Sequence, residues 1–273
     1  ALQYETLNET EWVQVGRVWD LLEDGEVAPA RRAMTTLLAA RPGHPDLRIV
    51  DAAVALEEGD PRRALQTLRG ADRSADPALL FHLRALAHYE LGGFEEARRD
   101  ATRSLAIHEE LAEAHDLLAR IAEHLGDPEA AKAHAEAARE LDPEAASEPL
   151  EVTDEAFDVI VQRTLAQMPD PVKPHLRELP VLVQPLPTRE MLAGEADPIS
   201  PDVLGLFVGR SLRERSVGDT PGAPGVIYIF RRNLLRVCSD LEELEREVRI
   251  TVQHEVGHLL GLDEDELEEW GLG

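Results

Sequence analysis

Through the first half of the chain, apolar residues return every three or four positions among Ala, Leu, Arg and Glu, the spacing that lays a single stripe along an α-helix. The stripe is interrupted at regular places. The segments DGEVAPARRA, EGDPRRAL, LGGFEEARRD and LGDPEAAKAH each place a glycine in a turn and an alanine five residues later: Gly25/Ala30, Gly59/Ala64, Gly92/Ala97 and Gly126/Ala131. Successive glycines stand 34, 33 and 34 residues apart. Two helices joined by a tight glycine turn pack closely only if a small side chain sits where they cross, and each alanine supplies one. One such pair cannot bury its own apolar face, but four stacked pairs can. The spacing therefore predicts a helical-hairpin solenoid with units at roughly 11–44, 45–77, 78–111 and 112–145.

The texture changes at PEAASEPLEV, residues 143–152, where two prolines and small polar residues break the helical pattern. A helical domain over 1–145, a linker over 146–154 and a second domain over 155–273 follow from that break. The second domain opens with an amphipathic helix, EAFDVIVQRTLAQM at 155–168, and continues with the strand-like PVLVQPL at 180–186. Residues 187–225 are loop-rich around the apolar run VLGLFVG and are long enough to form a lid. GVIYIF at 225–230 reads as a strand, and its backbone is the expected partner for a substrate strand. The last helix is long: Ser239 followed by Glu242 predicts a capping-box start, and Leu241, Leu244, Val248, Thr251, Val252, Val256 and Leu259 recur at helical spacing. The expected fold class is α+β, mainly α.

Composition narrows the function. A chain of 273 residues with 43% hydrophobic and 30% charged residues has ample material for globular cores. Its one cysteine, Cys238, can form no internal bridge, so a reducing, cytoplasmic setting is expected. The net charge is −26, and both halves are acidic. Nucleic acid and anionic membrane surfaces are bound mainly through Lys and Arg, so neither is an expected partner. No apolar run approaches the roughly 18 residues of a membrane span, and ALQYETLNETEW is acidic where a signal peptide is basic.

The chemistry lies on the last helix, in HEVGH: His254, Glu255, Val256, Gly257 and His258, with Gly261 three residues on. Residues i and i+4 project from one helical face, so both imidazoles can reach one Zn²⁺ at roughly 2.0–2.1 Å. Glu255 leans over the same metal, placed as general base for the attacking water. Gly261 allows φ > 0 and a sharp turn after the helix. At this composition the HExxH pattern arises by chance in at most roughly 0.07 cases per chain.

The 34-residue interval, the glycine turn, the alanine after it and the closing Asp142-Pro143 resemble tetratricopeptide repeats. That resemblance implies a protein or peptide partner in the concave groove, where the usual register places Leu79, His82, Leu86, Tyr89, Glu113, Asp116, Arg120 and Glu123. The second domain resembles the small bacterial zincin-like metallopeptidases, the minimal zincins, through its first helix, PVLVQPLP, LGLFVG, IYIFRRNLLRVC and VQHEVGHLLGLDEDELEEWG. The resemblance implies a zinc-dependent peptidase acting on peptide or protein substrates, with Zn²⁺ on His254 and His258. In the HExxHxxGxx(H/D) pattern the third ligand falls at Glu264, with Asp265 as its close competitor. Glu264 stands where Asp is frequent in the family, and Leu259 where another His is frequent. The alternative is a protein-interaction module whose zinc site is structural or proteolytically inactive. Tyr228 is a secondary candidate for oxyanion stabilisation, and Cys238 for an inhibitory metal cap.

Overall fold

A computed structural model describes residues 6–72, 76–144, 148–168, 173–176, 179–193, 198–209, 225–262 and 266. It divides into two compact units: Ala1–Ala146 together with Leu192–Ser200, and Ser147–Met191 together with Pro201–Gly273.

The first unit consists of helices in consecutive hairpins: α1 (Glu9–Glu23), α2 (Val27–Ala40), α3 (Pro45–Glu57), α4 (Pro61–Leu68), α5 (Pro77–Glu90), α6 (Phe94–Ile107), α7 (Ala112–His124) and α8 (Pro128–Leu141). Their starts are written locally. Proline, whose missing N–H costs nothing in the first turn, opens α3, α4, α5 and α8, and the carboxylates of Asp60, Asp76 and Asp127 accept the third amide of α4, α5 and α8. The turn glycines Gly25, Gly59, Gly92 and Gly126 all hold φ between 70° and 73°. Ala30, Ala64 and Ala97 are wholly buried and Ala131 nearly so, at the helix crossings the spacing requires. Larger side chains fill the layers between hairpins: Val18, Met34, Leu47 and Val54 in one, Leu68, Leu80 and Leu83 in the next, Tyr89, Phe94, Leu117 and Ile121 in the last. Leu192, far along the chain, completes that last layer beside Gly92. No helix among the described residues is long and apolar enough to cross a membrane.

The second unit sets helices against a small sheet. Its elements are α9 (Asp154–Ala166), α10 (Lys173–Leu176), β1 (Val181–Gln184), α11 (Arg189–Leu192, whose last residue belongs to the first unit), β2 (Gly205–Val208), β3 (Val226–Phe230), α12 (Arg231–Val237) and α13 (Leu241–Leu260). The strand order is β1-β3-β2, with β1 parallel and β2 antiparallel to β3. Side chains alternate across the sheet. Ile227 and Ile229, with Val181, Val183 and Phe207, turn towards Phe157, Val248, Val252 and Val256, which form the core under α9 and α13. Leu182, Leu206 and Tyr228 share a register row on the opposite face.

Three expectations change. GVIYIF is the central strand, paired on both sides, so it has no edge to offer a substrate; among the described residues β2 is the edge strand packed beside α13. The helix cap is Asp240, not Ser239: Asp240 Oδ1 accepts the Glu243 amide at 2.8 Å, while Ser239 donates its own N–H and hydroxyl to Glu243. Tyr228, on the face away from α13, is in no position to serve an oxyanion beside the HExxH helix.

Candidate metal centre

Helix α13 positions the motif through its back face. Leu244, Val248, Val252, Val256 and Leu259 are buried in the core of the second unit, which fixes the rotation of the helix and turns His254 and His258 to the partly exposed side. At its end Gly261 adopts φ 79°, and Leu262 returns its N–H to the Gly257 carbonyl at 3.1 Å, closing the last turn.

The two imidazoles converge, with Nε2 atoms 2.9 Å apart and rings nearly perpendicular at 85°. Two nitrogens that each lie about 2.0–2.1 Å from a single tetrahedral ion stand roughly 3.3–3.4 Å apart, so the pair has to open by only about half an ångström to share one. A pair of neutral imidazoles beside a carboxylate is also a donor set that zinc accepts. Glu264 and Asp265, the candidates for a third ligand, lie outside the described residues. Among the described residues no group of three or more His, Cys, Asp or Glu side chains is arranged to hold a metal ion.

Glu255 is 6% exposed, and its carboxylate accepts the Phe207 amide of β2 at 2.6 Å. Residues of an antiparallel edge strand alternate between those bonded to the partner strand and those whose N–H and C=O point outwards. Phe207 belongs to the outward set, because its N–H reaches Glu255 and not β3. The close approach of helix and strand depends on Gly205. A Cβ there would stand 2.4 Å from Thr251 Cγ2 and 3.4 Å from Glu255 Cγ. Neither contact was expected from the sequence, although a glycine inside a strand run such as LGLFVG signals a close neighbour.

The other candidates resolve differently. Cys238 is buried in the core, and burial, followed by the charges of Glu247 and Glu243, pushes its thiol up to about 11, so it packs there as a protonated thiol. A second histidine pair, missed because its members are 19 residues apart, joins α7 and α8 of the first unit: His115 and His134 hold their Nδ1 atoms 3.0 Å apart. Burial, and then the neighbouring His115, lowers the pKa of His134.

Residues 176–272 match the family model of zincin-like metallopeptidases. Among solved structures the chain is similar to MamA, at 18% identity and TM-score 0.40, over 50% of this chain and 75% of that one. It is also similar to PilW, a widely conserved type IV pilus biogenesis factor, at 12% identity and TM-score 0.35, over 57% of this chain and 85% of that one. No curated protein matches the chain.

Proposed function

We propose that the second unit is a zinc-dependent peptidase and that the helical unit recruits its peptide or protein substrate. The observation that carries this reading is the convergence of His254 and His258, Nε2 to Nε2 at 2.9 Å, next to a buried Glu255. In this reading His254, His258 and either Glu264 or Asp265 hold Zn²⁺. The ion, when bound, polarises a carbonyl and lowers the pKa of water to about 7. The residues of the chain do the rest. Glu255 takes the proton of the attacking water and passes it to the departing amine. Its anchor on the Phe207 amide keeps the carboxylate beside the motif, with Gly205 leaving room for it. Apart from the Phe207 N–H, which Glu255 already takes, the outward edge of β2 receives the backbone of an extended substrate by strand addition.

The same Phe207–Glu255 bond supports a second reading, in which the protein is an interaction module with an idle or structural metal site, because one oxygen of the general base is tied to the scaffold. Replacing the base decides between the two. Glu255→Gln keeps size and an acceptor for Phe207, and it lowers peptide hydrolysis by roughly 10²–10⁴-fold if Glu255 is the general base. Unchanged hydrolysis of a generic protein substrate such as casein overturns the peptidase assignment.

A further inference from the structure

The general base and an added strand compete for one backbone amide of β2. The Phe230 N–H reaches the Leu204 carbonyl at 2.9 Å, so the bonded pairs of the β2–β3 ladder are Leu204–Phe230, Leu206–Tyr228 and Val208–Val226. Gly205 and Phe207 lie between them and turn their N–H and C=O groups to the outer edge, which no strand among the described residues covers. Strand addition uses these groups. One of them is taken: the Phe207 N–H donates to Glu255 Oε2 at 2.6 Å. That carboxylate oxygen stands where the carbonyl oxygen of an added strand would accept the same hydrogen.

The contest has a direction. Thr251 and Glu255, one turn apart on α13, both lie so close to Gly205 that a Cβ there would meet them, which brings the carboxylate to the strand edge. Glu255 is buried, so water competes poorly for the bond. A hydrogen bond to an ionised acceptor is about twice as strong as one to a neutral carbonyl. A lone amide carbonyl therefore does not displace Glu255. A segment that also pairs with the Gly205 N–H and with the carbonyls of Gly205 and Phe207 gains further bonds in the same step, and these tip the exchange.

We propose that the Phe207–Glu255 bond is a latch that an incoming strand opens: its carbonyl takes the Phe207 N–H and withdraws that bond from the general base. The substrates are then extended polypeptide segments long enough to span Gly205 to Phe207, and short amides leave the latch closed. The inference rests on the reading of the second unit as a peptidase and names its substrate class. It also gives the tie on Glu255 a role in the resting chain, because the base is held until a strand is in place.

The test uses the full chain carrying Glu255→Gln or Glu255→Met. Both replacements are uncharged, similar in length and unable to act as the base, but only glutamine offers Phe207 an acceptor. The probe is fluorescein-labelled casein, and anisotropy reads its binding. Isotope-labelled phenylalanine, of which the chain has five, reads amide exchange at Phe207 by nuclear magnetic resonance while the other four signals report the fold. Casein is expected to bind the methionine variant at least about threefold more tightly than the glutamine variant. The Phe207 amide is expected to exchange slowly in the free glutamine variant, quickly in the free methionine variant and slowly again in its casein complex. N-acetylleucine amide, too short to form a strand, leaves the Phe207 signal of the glutamine variant in place. Equal binding of casein by the two variants, or a Phe207 amide that still exchanges quickly in the casein complex, overturns the latch while the peptidase assignment stands. A Phe207 signal moved as far by N-acetylleucine amide as by casein overturns the length requirement. Casein bound by neither variant yet hydrolysed by the wild type overturns strand addition at β2 and the latch with it. Hydrolysis of casein by the glutamine variant at the wild-type rate overturns the peptidase assignment itself.

Discussion

The two units bury apolar surface in different ways. The helical unit repeats one local solution: a glycine turn, an alanine at the crossing and a layer of Leu, Val or Met between hairpins that are neighbours in sequence, with Leu192 in the last layer as the distant exception. The second unit gathers Phe157, Ile227, Ile229, Val252 and Val256 from three separate stretches of chain into one core. The two units differ in where precision resides. Stability in the repeats is shared among similar modules, so damage stays local. In the second unit the same core that holds the sheet also sets the rotation of α13, so damage to packing reaches His254, Glu255 and His258.

The sharpest way to break this contrast is Phe157→Ala, which removes a fully buried ring of α9 from the second core. The expected loss is about 3–5 kcal/mol. Hydrogen exchange should rise across α9, α13 and the sheet while α5 to α8 stay protected. Equal loss of protection in α5 to α8 would show that the two units unfold together.

A smaller effect is expected at Gly205→Ala, where the new methyl meets Thr251 Cγ2. Overpacking of this kind costs about 1–3 kcal/mol. Pairing it with Thr251→Ser, which removes that methyl group, should recover part of the melting temperature and of the hydrolysis. Without recovery, the contact is not what separates β2 from α13 at the right distance.

The mildest prediction concerns pH and the helical unit. Burial lowers the folded-state pKa of His82, His88 and His134 below the ordinary 6.5. The unfolded chain therefore takes up these protons first as pH falls. The stability they contribute is complete above about 6.5 and declines as the pH is lowered through and below that value. Thermal melts of the helical unit followed at pH 7.5 and 5.5 should show the lower midpoint at the acidic pH. An unchanged midpoint would mean that these rings are not held neutral in the fold.

Much of this architecture was legible in the sequence because it is local. The glycine intervals and the alanines at Ala30, Ala64 and Ala97 need only one helix pair to make sense, and the i, i+4 spacing of His254 and His258 needs only one helix. Long-range pairing was not legible. Whether GVIYIF is an edge or a central strand depends on which strands flank it, and no residue within it carries that information. The Phe207–Glu255 bond joins residues 48 apart, and the His115–His134 pair depends on the packing of α7 against α8. The shift of the cap from Ser239 to Asp240 is a smaller case, since both are good N-caps and Glu243 bonds them together.

The metal site on α13 is read out by elemental analysis of the full chain purified without added metal, in wild type and in His258→Ala. Zinc near one equivalent per chain is expected in the wild type, with its loss in the variant. No zinc in either protein even after zinc is supplied, or the same zinc content in both, would contradict it.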